Sequence, residues 1–159
     1  MGLSEKSGSI SREWVEAFNE AYAGRHMDRL ASLLHDDVRW VINGPVDLMP
    51  FCGERRGKQA VLDMVGRIAP RQFAVIAFAP ELVLIDGDRA STLCRASGAR
   101  TANGHTIGWR VAQFMRFQDQ KIIEYCSVID SFDAAEQVLG HSIELAPSEP
   151  AAQRDAVAV

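Results

Sequence analysis

The chain has 159 residues, of which 47% are hydrophobic and 24% charged, with a net charge of −4. This length and composition are typical of one soluble globular domain with a complete hydrophobic core. Basic residues are scattered, which argues against a nucleic-acid partner. The sequence has no apolar run as long as a membrane span and no signal-peptide core in MGLSEKSGSI. We therefore expect a cytoplasmic protein with no membrane partner.

Cysteines and short motifs give no sign of a metal or a cofactor. Cys52, Cys94 and Cys126 are odd in number and widely separated, a pattern typical of reduced thiols. The sequence contains no CxxC, HExxH, GxGxxG or P-loop motif. We expect neither a bound metal nor a cofactor.

The first half of the chain is predicted to be mainly helical. A Ser/Gly-rich start precedes Ser11, which is a good helix cap, and Gly24 is a good helix end. The predicted elements are a disordered N-terminus (1–10), a first helix after Ser11, a second helix ending at residues 35–37, a strand (38–42), a loop (44–56) and a third helix opened by Gly57.

The second half is predicted to be a meander of strands. RQFAVIAFA, ELVLID, RASTLCRASGAR, HTIGWRVAQFMRF and KIIEYCSVID are strand-like, and Asn103-Gly104 is a strong hairpin signal. A short helix from Asp133 to Gly140 and a flexible tail (141–159) follow. The predicted fold class is therefore α+β, one domain (11–140) in which three N-terminal helices cover a curved antiparallel sheet. The cone between helices and sheet suits a small-molecule pocket.

Three segments resemble the SnoaL-like branch of the nuclear transport factor 2-like superfamily: FNEAYAGRHMDRLASLLHDDVRWVINGP, GERRGKQAVLDMV and FMRFQDQKIIEYCSVIDSFDAAEQVLG. The resemblance implies a cone-shaped barrel, usually a homodimer joined through its sheet. Such proteins include ketosteroid isomerases, polyketide cyclases, limonene epoxide hydrolases and members with no known activity, and they commonly work without cofactors. The fold alone therefore does not decide the function.

The residues that the resemblance assigns to catalysis are replaced in this chain. The isomerase base falls on Ile42, its tyrosines on Phe18 and near Val65, and its acid on Gln113. These side chains cannot exchange the protons that the reaction needs, so we reject isomerase activity.

The other two activities also lose their usual residues. The cyclase acid/base falls on Ser127 and its strand histidine on Gln113. The hydrolases need an Asp-Arg-Asp set. Arg95 and Arg116 are available, but no acid clearly shares a face with either.

Alternation along the strands predicts which residues face the cone. Gln113, Ser127 and the Tyr125 hydroxyl are its polar points, whereas Asp130 points away and anchors the turn before the last helix. The predicted ligand-binding residues are Phe18, Trp40, Ile42, Phe51, Val65, Trp109, Val111, Gln113, Met115, Tyr125, Ser127 and Ile129. The catalytic residues are unknown, with Gln113, Ser127 and Asp47 as candidates. Plain core packing is the alternative role for the apolar members of this set.

The loop after the first strand offers an alternative source of an acid. If Asp47 or Glu54 lay against Trp40 and Phe51, desolvation would raise the pKa of its carboxyl group. The alternative is that both carboxylates are solvated.

Three functions remain open from the sequence alone. The first is a small-molecule pocket protein with an apolar, cyclic or polyketide-like ligand, and the second is a cofactor-free enzyme with a non-standard catalytic set. The third is a non-catalytic interaction module, which predicts a filled cone and an exposed apolar patch. A homodimer is expected in each case, with Cys126 on its interface face.

Overall fold

The computed structural model of the chain describes residues 10–144, apart from the side chain of residue 75. The predicted disordered start and flexible tail therefore lie outside the described residues at 1–9 and 145–159. Ile10, the last residue of the predicted start, is buried. The elements are α1 (Arg12–Ala23), α2 (Met27–Leu33), β1 (Leu34–Asn43), β2 (Gly53–Arg56), α3 (Lys58–Asp63), β3 (Phe73–Asp86), β4 (Arg89–Arg100), β5 (Thr106–Gln118), β6 (Lys121–Ile129) and α4 (Ser131–Leu139).

The predicted α+β class is confirmed. One six-stranded sheet has the order β2-β1-β6-β5-β4-β3, and α1, α2 and α3 pack on one side of it. The segment after α3 continues as a turn of π-helix, Met64–Ile68, and a 3-10 turn, Ala69–Arg71. The sheet is mixed rather than wholly antiparallel, because β1 runs parallel to β6. This parallel pair is possible because a long connection, which includes α3 and four strands, separates the two strands in sequence.

The ends of α1 follow the sequence signals. The Ser11 hydroxyl oxygen accepts a hydrogen bond from the Trp14 backbone N–H over 3.2 Å, and the helix ends at Gly24. Val15, Phe18 and Ala21 form its buried face. The predicted first helix is confirmed.

The boundaries predicted for the second helix, the loop and the next two strands are wrong. The second helix ends at Leu33, so residues 35–37 belong to β1, and part of the predicted loop forms β2 against β1. Arg39 of β1 and Glu54 of β2 form an ion pair. β2 is the edge strand of the sheet, and charged residues at an edge oppose pairing with another chain. RQFAVIAFA and ELVLID join into one strand, β3, whose register shifts beside Pro80. Proline has no N–H for the ladder, so an irregularity at this point is expected.

α4 covers an edge of β5 that β6 leaves open. The Gln137 side-chain amide accepts from the Gly108 N–H over 2.9 Å and donates to the Gly108 carbonyl over 2.7 Å. Asp130 precedes the helix, and its backbone N–H donates to the Arg110 carbonyl. Its side chain is exposed and makes no capping hydrogen bond, so Asp130 anchors the turn through its backbone. The helix begins at Ser131, two residues before the predicted start.

The faces of the sheet agree with the strand alternation predicted from sequence. Residues predicted to face the cone are buried, whereas Asp130 is exposed and Cys126 is on the outer face. None of the helices within residues 10–144 is long and apolar enough to cross a membrane.

Candidate functional site

The cone-facing residues of neighbouring strands form rows across the sheet. Gln113 of β5 lies opposite Thr92 of β4 and Ser127 of β6, and Ser127 lies beside Ile42 of β1. In the next row, Tyr125 of β6 lies between its neighbours on β5 and β1. The polar groups of the cone are therefore concentrated near its middle strands.

The cavity enclosed by the cone has a volume of about 30 Å³. That volume admits a water molecule but no larger ligand, because a water needs at least about 10–15 Å³. Its lining includes the predicted Ile42, Phe51, Trp109, Val111, Tyr125, Ser127 and Ile129 and the unpredicted Tyr22, Ala69, Ile76 and Phe78. The other predicted ligand-binding residues are buried but do not line the cavity: Phe18, Trp40, Val65, Gln113 and Met115.

Stacked aromatic rings make up much of the cone wall. The Trp40 and Tyr125 rings stack with centroids 3.6 Å apart, and Tyr22 lies 5.5 Å from Trp40 and 5.5 Å from Phe78. Tyr22 was missed as a site residue although the sequence carries its signal. It follows Phe18 by four residues on α1, and such residues share one helix face.

A buried hydrogen-bond chain fixes the orientation of the Tyr125 hydroxyl group. Thr92 Oγ1 donates to Gln113 Oε1 over 2.5 Å, and Cys94 Sγ approaches the same oxygen at 3.8 Å. The Gln113 amide nitrogen then faces Tyr125 and donates to its hydroxyl oxygen over 3.0 Å. Because the Tyr125 oxygen accepts this bond, its proton is available to Ser127 or to a ligand.

The two tyrosines of the cavity are neutral hydrogen-bonding groups. Burial raises the pKa of Tyr125 well above its ordinary value and raises the pKa of Tyr22 in the same way. A phenol with a raised pKa keeps its proton at neutral pH. Both groups can therefore donate to an acceptor oxygen, but neither can act as a base.

Comparison with known proteins agrees with this cone. The SnoaL-like domain family matches residues 15–125. The chain belongs to this family. A provisionally assigned isomerase from Rhodopseudomonas palustris is 32% identical, with a TM-score of 0.70 over 80% of this chain and 94% of that one. A search of curated proteins gives no match.

Two further solved structures share the SnoaL-like fold at lower identity. TerC, co-crystallised with polyporic acid, is 18% identical, with a TM-score of 0.71 over 80% of this chain and 96% of that one. An LEH-like epoxide hydrolase of M. tuberculosis is also 18% identical, with a TM-score of 0.64 over 80% and 88% of the two chains. At this identity the likeness shows the fold alone.

The carboxylates proposed for the loop of this SnoaL-like chain lie away from the cone. Asp47 is exposed, and Glu54 forms ion pairs with Arg39 at 3.1 Å and Arg56 at 2.7 Å. The hydrogen bond from Arg39 lowers the pKa of Glu54, so the predicted rise is wrong. The loop instead turns Phe51 toward the cone, where it is buried.

The arginines considered for hydrolase chemistry have acidic partners outside the cone. Arg95 pairs with Glu81 at 3.0 Å, and Arg116 pairs with Glu124 at 2.7 Å. The expectation that neither arginine shares a face with an acid is therefore wrong. Since these pairs lie on the outer side of the sheet, they do not supply the water-activating set of a hydrolase.

Cys52 and Cys94 of this SnoaL-like chain are buried. Burial raises the pKa of Cys52 to about 12 and also raises the pKa of Cys94, which keeps both as unreactive thiols. No group of three or more His, Cys, Asp or Glu residues in the described part of the chain is arranged to hold a metal ion.

A larger hollow of about 520 Å³ lies beside the start of α4. Arg95, Arg110, Asp130 and Asp133 line its polar rim. Glu81 already pairs with both arginines, Arg110 at 2.6 Å. Phe78 and Trp109 line both this hollow and the cone cavity, so the two spaces adjoin, but Tyr125 lines the cone cavity alone.

Proposed function

We propose that this SnoaL-like protein binds an apolar small molecule that carries a hydrogen-bond-accepting oxygen. The observation that supports this proposal is the bond from Gln113 Nε2 to Tyr125 Oη, which makes the oxygen an acceptor and leaves its proton to Ser127 or to a ligand. Ser127 and Tyr22 add two more neutral polar groups to an otherwise apolar lining. A few placed polar groups in an apolar wall are what orient a small ligand.

The proposed activity is binding rather than proton transfer. Among the described residues that line the cavity, none is an acid, a histidine, a lysine or an arginine. General acid–base catalysis requires such a group within reach of the substrate. The provisional isomerase at 32% identity and the complex of TerC with polyporic acid support a small-molecule ligand.

A ligand larger than water must displace side chains at the narrow cavity. Phe51 is the best candidate, because it belongs to the segment between β1 and β2 rather than to the sheet. We propose that this segment swings outward with Phe51, which would join the cavity to the space outside.

Matched ligands test this proposal directly. Acetylnaphthalene carries a ketone oxygen, whereas ethylnaphthalene has the same ring and no acceptor. We expect the ketone to bind roughly three- to tenfold more tightly, because one hydrogen bond contributes about 0.5–1.5 kcal/mol. Calorimetric titration of Tyr125→Phe should remove this preference while the hydrocarbon affinity stays unchanged. Equal affinities for the two ligands in the unaltered protein would contradict the proposal.

A second proposal concerns the outer face of the sheet, which we propose pairs with a second copy of the chain. Phe114 and Val128 are about half exposed there, and Leu84 and Leu82, which lie in the same rows on β3, are exposed as well. Large contiguous apolar patches on soluble proteins usually mark interaction sites. The same face, together with the nearly filled cone, also supports the alternative of a non-catalytic interaction module.

A further inference from the structure

Next to the cone is a second hollow, lined by two arginines. It has a volume of about 350 Å³, which is within the usual range for small-ligand sites. Its lining consists of Leu48, Pro50, Ile68, Arg71, Gln72, Arg100 and Ala102. We call this hollow the arginine vestibule.

The vestibule and the cone cavity are neighbours, because consecutive residues of the chain line the two spaces. Pro50 lines the vestibule and the next residue, Phe51, lines the cone cavity. In the same way, Ile68 lines the vestibule and the next residue, Ala69, lines the cone cavity. Phe73, whose ring centroid lies 5.9 Å from that of Phe51, is fully buried behind Gln72. Displacement of Phe51 would therefore connect the two spaces.

The two arginines of the vestibule have no direct acidic partner among the described residues. The pKa of Asp63 is lowered mainly by its hydrogen bond from Arg67, although Arg71 is close enough for its charge to lower this pKa as well. Within residues 10–144, every other arginine forms an ion pair or donates a side-chain hydrogen bond. Arg71 and Arg100 do neither. Guanidinium groups match carboxylates and other oxyanions closely, so two unpaired ones at the same hollow favour an anion.

The backbone around the vestibule is held in place. The Arg100 N–H donates to the His105 carbonyl over 2.9 Å, and the Thr101 N–H donates to the Gln72 carbonyl over 2.8 Å. The Gln72 side chain donates to the Leu48 carbonyl, which directs its Oε1 the other way. That oxygen is buried with no hydrogen-bond partner. A buried acceptor without a partner is costly, and a water molecule can satisfy it, whereas a carboxylate, which only accepts hydrogen bonds, cannot.

We infer that the arginine vestibule binds the anionic group of a ligand whose apolar part occupies the cone. The ligand class is thus an amphipathic anion, such as an aromatic or alicyclic carboxylate, with an acceptor oxygen that reaches Tyr125. This inference rests on the proposed binding function of the cone.

The test uses naphthoate and acetylnaphthalene, which share the ring and differ in charge. We expect naphthoate to bind the full-length protein at least about tenfold more tightly at low salt, because the contact to guanidinium is charge-assisted. This advantage should shrink as salt is added. In the double variant Arg71→Met/Arg100→Met, the affinity advantage of naphthoate over acetylnaphthalene should disappear. The affinity for acetylnaphthalene and the melting temperature should stay unchanged. Arg29→Met removes an arginine paired with Glu20 on α1 and serves as the matched control.

The outcomes separate the two proposals. Ketone binding that depends on Tyr125, with no advantage for naphthoate, overturns the vestibule and leaves the cone proposal standing. An equal loss of naphthoate affinity in Arg29→Met also overturns the vestibule, since the effect would be one of general charge. Naphthoate binding that depends on the two arginines, together with ketone binding that does not depend on Tyr125, supports the vestibule and contradicts the cone. Failure of both ligands to bind overturns both proposals.

Discussion

The two tyrosines of the chain, Tyr22 and Tyr125, both line the cone cavity. Burial raises both pKa values, so near the ordinary tyrosine value of about pH 10 the folded protein should keep both protons. An unfolded chain loses these protons near that pH, so their contribution to stability is complete below about pH 10 and is lost as the pH rises further. We expect the ultraviolet phenolate signal to appear only together with unfolding. A phenolate signal from folded protein near pH 10 would contradict the burial.

Gln113 forms hydrogen bonds with both Thr92 and Tyr125 inside the cone. Its replacement therefore tests whether these bonds stabilise the fold and orient Tyr125. Gln113→Leu leaves the Thr92 hydroxyl without its acceptor, at an expected cost of about 1–3 kcal/mol in the free energy of unfolding. It should also weaken ketone binding, because Tyr125 loses the bond that orients it. Urea unfolding of Thr92→Val/Gln113→Leu should recover part of the stability, because both partners are then apolar. A double variant less stable than Gln113→Leu would count against this coupling.

Strand alternation was sufficient to predict the inward residues, because side chains of a strand alternate strictly between faces. It placed Gln113, Tyr125 and Ser127 together and assigned Asp130 to the outside. It could not predict that the Gln113 amide donates to Tyr125. That direction depends on Thr92, which lies on another strand and carries no local signal for this contact.

At the level of elements, we propose that the segment between β1 and β2 controls access to the cone, and Arg55 forms hydrogen bonds to this segment. Arg55 Nη1 donates to the carbonyls of Phe51 and Cys52 over 2.9 and 3.0 Å, and Nη2 donates to the Pro50 carbonyl over 2.9 Å. We expect Arg55→Met to release this segment and speed hydrogen exchange at the Met49 and Cys52 amides, since local opening becomes easier.

The neighbouring Arg56 provides the matched control for this experiment. Its guanidinium group is exposed and pairs with Glu54, so Arg56→Met should leave exchange in the segment unchanged. Ketone affinity should rise in Arg55→Met alone, because Phe51 moves at lower cost. Equal exchange in the two variants would show that Arg55 does not restrain the segment.

The elements themselves were predicted best where capping and turn chemistry are local. The start of α1 at Ser11, its end at Gly24 and the opening of α3 at Gly57 follow directly from such signals. β2 and the parallel pairing of β1 with β6 were not foreseen, because both depend on partners distant in sequence. The continuity of β3 was missed because Pro80 is typical of a break, whereas the strand continues through an irregularity.

For the whole molecule, the proposed dimer depends on the outer face of the sheet. Phe114 is 50% exposed and has Ser91 and Cys126 as cross-strand neighbours. Phe114→Lys should convert the dimer to a monomer in light scattering coupled to gel filtration, because a buried unpaired charge is strongly unfavourable. Phe132→Lys is the control, since Phe132 is 53% exposed on α4 rather than on the sheet. A monomer in the unaltered protein, or a dimer that survives Phe114→Lys, would contradict this interface.

The fold of residues 10–144 could be predicted from the sequence, but the volume of the cone cavity could not. Element order and the family resemblance predicted a cone, which the structure confirms. The volume of about 30 Å³ depends on how Phe51, Phe78 and Tyr22 fill the interior, and no pattern in the sequence encodes that packing.

The central claim is that the cone opens for an apolar ligand whose oxygen accepts the Tyr125 proton. The most direct measurement is a crystal structure of the protein with acetylnaphthalene. We predict that the ring lies in the cone, that Phe51 is displaced, and that the ketone oxygen lies about 2.7–2.8 Å from Tyr125 Oη. Ligand density in the hollow beside α4, with Phe51 in place and the cone unchanged, would contradict the claim.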